Sequence, residues 1–182
     1  MIIGITGTDG AGKGAAVDYL VREKGFVHCS ARAIWEEEFV KRGMESNRAN
    51  MRLVANDMRA TYGNDFLVTY YLKMKEEKGV ENIVIESIRA AAEADALKAN
   101  GGILLAVDAE QSIRYGRITS RGSSSDHVSL EEFTKQEELE MNDPDPSGMQ
   151  KAKVIEMADH IILNEGTFEE LGGEIEEILQ KI

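Results

Sequence analysis

Residues 7–14 read Gly-Thr-Asp-Gly-Ala-Gly-Lys-Gly, four glycines and a lysine in eight positions. Glycines at 7, 10, 12 and 14 allow backbone N–H groups to turn inward together, and Lys13 adds a point charge among them. The chemistry this suits is the binding of phosphate oxygens. The segment also stands between an apolar run, MIIGIT, and a helical pattern, so the partial positive charge of a helix N-terminus would add to the amides. Positions 14 and 15 are Gly and Ala, so no side-chain hydroxyl follows the lysine to ligate a metal. A Mg²⁺ ion here would be held by phosphate oxygens and water, with an acid supplied from elsewhere. Arg114, Arg117 and Arg121 lie at i, i+3 and i, i+4 spacing on one helical stretch, and three like charges in a row repel unless an anion relieves them. Arg32 falls on the first turn of a helical stretch, where its charge opposes the helix dipole unless an anion sits there.

The elements that must position these groups can be read along the chain. MIIGIT, residues 26–29, NIVIES, ILLAVDA and HIILN are short apolar runs without strict alternation, the mark of strands buried on both faces. Helical patterns separate them. GKGAAVDYLVREKG closes at Gly25, and ARAIWEEEFVKRG closes at Gly43 with Ser30 in position to cap it. Two further helices span residues 47–63 and 65–79, and AAAEADALKANG and EQSIRYGRITSRG make two more. Ser129 with Glu132 and Thr167 with Glu170 form capping boxes for the helices that follow them. GSSSDH and DPDPSG are loops. Strands alternating with helices imply βαβ units, hence a five-stranded parallel sheet covered by helices on both faces in an α/β/α sandwich.

The loop resembles that of the P-loop nucleoside monophosphate kinases. Its Gly-x-x-Gly-x-Gly-Lys-Gly matches the adenylate-kinase branch, in which Gly14 is normal and Thr follows. Ala15 departs from that pattern. Asp9 departs too, and is similar instead to the thymidylate-kinase loop, in which the acid faces the acceptor nucleotide. Asp9 therefore has two readings: acceptor contact, or a loop stabiliser bonded to backbone amides. The resemblance implies a P-loop NTPase fold of 1–182 as a single kinase domain. Acceptor-binding helices at about 30–80 and a helical lid at about 114–148, tipped by GSSSDH, would be its mobile parts. It also implies roles. Gly10, Ala11, Gly12, Lys13, Gly14 and Ala15, with Asn164 and Gly166 after the last strand, would bind ATP. Asp9, Ser30, Arg32, Arg59 and Arg89 would bind the acceptor. Lys13, Arg89, Arg117 and Arg121 would act on the transferring phosphoryl, with Arg114 a lesser member of that row. Glu86, ending the strand NIVIES, would reach Mg²⁺ through water.

Composition narrows the partners. Residues 129–182 hold 15 Asp/Glu against 4 Lys/Arg, while residues 1–128 hold 18 against 17, and all ten arginines fall at or before Arg121. The acidic third would repel a nucleic acid, whereas the arginines can still gather on a small anion. No apolar run approaches the roughly 20 residues of a membrane span. The first residues already read as strand, so no signal peptide is expected. The lone Cys29 allows no intrachain disulfide and fits a reducing cytoplasm. The three histidines lack metal-ligand spacing, and Cys29, Trp35 and Met58 read as core. The expectation is an ATP- and Mg²⁺-dependent kinase moving the γ-phosphoryl of ATP to a (deoxy)nucleoside monophosphate. The alternatives are a kinase for another small acceptor, similar to dephospho-coenzyme A kinase, and a P-loop module that binds without catalysis. The oligomeric state is not legible.

Overall fold

The computed structural model describes residues 1–121, 129–143 and 148–182, save the side chains of residues 48 and 49. Five strands run in parallel in the order β2-β3-β1-β4-β5. They are β1 (Ile2–Gly7), β2 (Val27–Ser30), β3 (Ile83–Glu86), β4 (Ile103–Asp108) and β5 (His160–Leu163). The helices are α1 (Lys13–Lys24), α2 (Ala31–Arg42), α3 (Arg48–Tyr62), α4 (Phe66–Lys78), α5 (Ala91–Ala99), α6 (Gln111–Arg121), α7 (Leu130–Met141), α8 (Lys151–Glu156) and α9 (Phe168–Leu179). The expected three-layer P-loop fold is present, and strand β2 is shifted one residue from the expected 26–29.

The strands alternate between two apolar layers. Ile3, Ile5, Val84, Leu105 and Val107 meet Val17 and Leu20 of α1 and Leu171 and Ile175 of α9. Ile83, Ile85 and Leu104 point the other way, toward Trp35, Phe39, Leu67, Val68, Leu97 and Val154. Because consecutive residues of a strand face opposite layers, a continuous apolar run is what a doubly covered parallel sheet requires. Gly4 belongs to this logic: a Cβ there would collide with Leu97, so its absence lets α5 close down on the central strand. Cys29, Trp35 and Met58 are buried in the second layer, as core. Burial pushes the Cys29 thiol up to about 11.

Parallel pairing brings the C-terminal ends of all five strands to one edge, where such sheets bind ligands. The register sets Ser30 beside Glu86 and Gly7 beside Val107, so the glycine loop, Glu86 and Asp108 share that edge. Both capping boxes form, Ser129 with Glu132 and Thr167 with Glu170. Ser30 occupies the cap position of α2, but its side chain makes no capping bond. Among the described residues no helix is long and apolar enough to cross a membrane. The lid tip GSSSDH and the proline-bearing part of DPDPSG lie outside the described residues.

Candidate phosphate-binding site

The loop from β1 to α1 turns back on itself at two left-handed glycines, Gly10 with φ 83° and Gly12 with φ 98°. A Cβ on Gly10 would lie 2.5 Å from the Arg114 carbonyl oxygen, so α6 approaches the loop backbone closely enough to exclude a side chain. Gly12 caps α1 with no side-chain bond, and the first turn holds no acid. The helix therefore presents its N-terminal positive charge without a carboxylate to satisfy it, which is the state that favours an anion. Lys13 lies back along the loop. Its Nζ donates to the carbonyls of Gly7 at 3.0 Å and Thr8 at 2.7 Å, and stands 3.4 Å from Asp9 Oδ1. Burial, opposed by Asp9 and assisted by Arg89 and Lys151, lowers its pKa to about 8.

Asp9 faces two ammonium groups. Its Oδ2 is 3.0 Å from Nζ of Lys151, the first residue of α8. Burial would raise the Asp9 carboxyl, but Lys151, then Lys13 and Arg89, hold it well below the usual carboxylate range. Of its two readings, loop stabilisation is therefore the one with visible contacts, although the partners are ammonium groups rather than backbone amides. Thr8 Oγ1 donates to Asp108 Oδ1 at 2.5 Å, which ties the loop to the end of β4.

The donor-side residues converge. Arg117 Nη1 donates to Ala11 O at 3.3 Å and Asn164 O at 2.8 Å, and Asn164 Nδ2 donates to the same Ala11 carbonyl at 2.7 Å. A depression of about 250 Å³ lies there, lined by Gly12, Ala15, Arg117, Asn164, Gly166 and Phe168 among others. Arg121 is exposed at the end of α6. Arg114 does something else: it is buried, pairs with Glu137 of α7 and lies 5.8 Å above the Phe133 ring. Of the arginine row it is therefore the anchor that docks α7 on α6, helped by Tyr115 against Phe133.

The residues expected to bind the acceptor part company. Arg89 follows Glu86 through Ser87, whose φ of 71° is the one positive value at a non-glycine among the described residues. Its guanidinium touches Met149 Sδ at 3.3 Å and has no carboxylate in pairing distance among the described residues. Glu86 pairs with His28 Nε2 at 2.9 Å; that bond, with the His28 charge, lowers the Glu86 pKa, and the same bond, with the Glu86 charge, raises that of His28. Arg32 is exposed on the first turn of α2. Arg59 is 4% exposed, and its Nε donates to the fully buried Glu93 at 3.1 Å. Glu93 also accepts the amides of Arg89 and Ala90 at 2.8 and 3.0 Å, so this pair sets the backbone from which Arg89 projects. Arg52 of α3 pairs with Asp143 at 2.6 Å.

Sequence reasoning missed Asp108, Glu93 and Lys151. Asp108 carried a signal: it ends the apolar run ILLAVD as Glu86 ends NIVIE. Lys151 carried a fainter one, a cation in the first turn of a helix, against the dipole. Glu93 carried none, because an acid near a helix start is ordinary.

Among the described residues no group of three His, Cys, Asp or Glu could hold a metal by itself. The acids present, Glu86 and Asp108, are suited to a metal already carried by phosphate oxygens and water.

Comparisons with known proteins agree with this geometry. A family model described as AAA domain matches residues 3–143. A UPF0200 protein of Sulfurisphaera tokodaii is 32% identical over all of this chain and 97% of its own length. The crystal structure of TT1252 from Thermus thermophilus aligns over all of this chain and 97% of that one at TM-score 0.62 and 24% identity. Shikimate kinase from Bacteroides thetaiotaomicron aligns over 99% and 98% at TM-score 0.58 and 18% identity. The fold is thus that of the P-loop kinases.

Proposed function

The chain belongs to the AAA domain family, and with that as the premise we propose that it is an ATP-dependent kinase of nucleoside or deoxynucleoside monophosphates. The observation that carries the reading is the uncapped N-terminus of α1, wrapped by Gly10 and Gly12 and facing Lys13. The triphosphate of ATP would lie along these amides, with its base toward Asn164 and Gly166 in the depression beside Ala15. Lys13 would leave the loop carbonyls for the phosphates. Mg²⁺, carried by the nucleotide, would be reached by Glu86 through water and would neutralise developing charge. Arg89, which has no carboxylate partner among the described residues, is the residue suited to the acceptor phosphate, with Arg32 and the Ser30 hydroxyl, which makes no capping bond, beside the same strand ends. Arg117 and Arg121 would close on the transferring group. Transfer of this kind needs positioning and charge stabilisation more than a strong base. The chain would act as one domain with moving parts near residues 30–80 and 114–148, in the cytoplasm, without nucleic acid or membrane partners.

A second reading has one observation in its favour. Glu93 neutralises Arg59, which leaves the acceptor side with fewer open cations than a monophosphate pocket would use. A less anionic acceptor bearing a hydroxyl, as shikimate is for the similar shikimate kinase, would suit that. A coupled assay for ADP with Mg-ATP and a panel of nucleoside monophosphates and small hydroxy acids decides. ADP formed only with a monophosphate is the expected result. ADP with a hydroxy acid supports the second reading, and tight ATP binding without turnover on any acceptor overturns both.

A further inference from the structure

An acid inside a phosphate-binding loop is electrostatically adverse, since its charge repels the anion the loop is built to hold. Asp9 is such an acid, and it lies within reach of the lysine that must greet the phosphates. Its carboxylate is shared unevenly. Oδ2 is 3.0 Å from Lys151 Nζ, and Oδ1 is 3.4 Å from Lys13 Nζ. Lys151 is only 2% exposed and also pairs with Glu140 of α7. A buried ammonium between two carboxylates has no solvent to compete for it, so its hold on Asp9 is stronger than a surface pair would be. The backbone fixes it there: the Gln150 amide donates to Arg89 O at 2.8 Å, and Asp143 N donates to Met149 O at 3.1 Å.

We propose that Lys151 is a positioning residue of the phosphate site, which neutralises Asp9 and draws its carboxylate away from Lys13 so that Lys13 can turn to the phosphates. The inference rests on the proposed nucleotide reading and goes beyond it. The loop would recruit its second lysine not to touch the ligand but to cancel the acid beside the first. Without Lys151, Asp9 and Glu140 would lose the ammonium they share, the loop would be one positive charge poorer, and the pull of Asp9 on Lys13 would be less opposed.

A double-mutant cycle on Mg-ATP binding, followed by calorimetry without acceptor, tests this. Lys151→Met should weaken binding by about tenfold or more in the natural background, yet by no more than about threefold when Asp9→Asn is present. A lysine that merely docks α8 would give the same loss in both backgrounds. That result, or no loss in either, overturns the proposal. Should Lys151→Met fail to fold by circular dichroism, Asp9→Asn alone decides. It should bind Mg-ATP at least as tightly as the natural chain, and weaker binding overturns the idea. A natural chain that binds no ATP sinks the nucleotide reading and this inference together, whereas normal binding unaffected by Lys151→Met sinks only the role of Lys151.

Discussion

The two sides of the strand-end edge are built from different materials. The loop side is mostly backbone: amides of the 7–14 loop, the start of α1, and the carbonyls of Ala11 and Asn164 that Arg117 joins. The side around β2 and β3 is mostly side chains in opposite-charge pairs, Arg59 with Glu93, Glu86 with His28 and Arg52 with Asp143. Backbone chemistry requires conformational freedom at fixed positions, and glycine spacing announces it. Pair chemistry depends on which residue meets which across the fold, and spacing along the chain says nothing of that.

The contrast can be broken or sharpened by experiment. The largest effect should come from the backbone side. Gly10→Ala forces a Cβ onto the Arg114 carbonyl at a φ of 83° and should abolish detectable ATP binding by calorimetry. Gly14→Ala, with open space around the added carbon, should bind as the natural chain does. If both behave alike, the loop does not work through its backbone.

Next in size is the buried pair. Arg59→Met leaves Glu93 buried with only its two amide donors, and should cost about 3 kcal/mol in urea unfolding, most of it recovered in Arg59→Met/Glu93→Gln. The recovered double variant should keep its ATP affinity. Loss of turnover in it, with stability restored, would return Arg59 to the acceptor site.

Lys13 gives a graded effect. In the unliganded chain its pKa is lowered to about 8, so above that pH the free protein carries it neutral while bound phosphate favours the charged form. ATP binding then takes up a proton, and affinity should fall by up to about tenfold per pH unit above pH 8. The same linkage makes the unliganded fold gain stability as pH rises from about 8 toward the unfolded value, because the buried charge is relieved. Lys13→Arg should bind ATP with no such fall up to pH 10. The smallest expected effect lies at Cys29: burial raises its pKa to about 11, so an aromatic disulfide reagent at pH 8 should react with it only as fast as the chain unfolds.

The sheet was legible because five apolar runs ended in glycine, acid or polar residues at intervals that fit βαβ units. The glycine loop was legible for the reason above, and Asn164 came with the fold that the loop implies. The pairing of Arg59 was not legible: its helix was identified correctly, but its partner Glu93 lies 34 residues on. Arg114 was grouped with its helical neighbours, yet its guanidinium is taken up by Glu137 of α7 while also donating to the Asp9 carbonyl at 3.3 Å, a pairing that spacing does not reveal. Lys151 escaped because α8 is short and its partner Asp9 lies near the other end of the sequence.

That last distance has a consequence for how the protein is made. The segment carrying the loop leaves the ribosome first, and α8 emerges after the entire sheet save β5 has been synthesised. During that interval Asp9 has no Lys151 to meet, and the contact that closes the pair is among the most non-local in the molecule, hence among the last whose loop-closure entropy is recovered. With Lys151 in its proposed role, a nascent chain would own a phosphate loop before it could use one, and nucleotide capture would wait until the C-terminal third has docked.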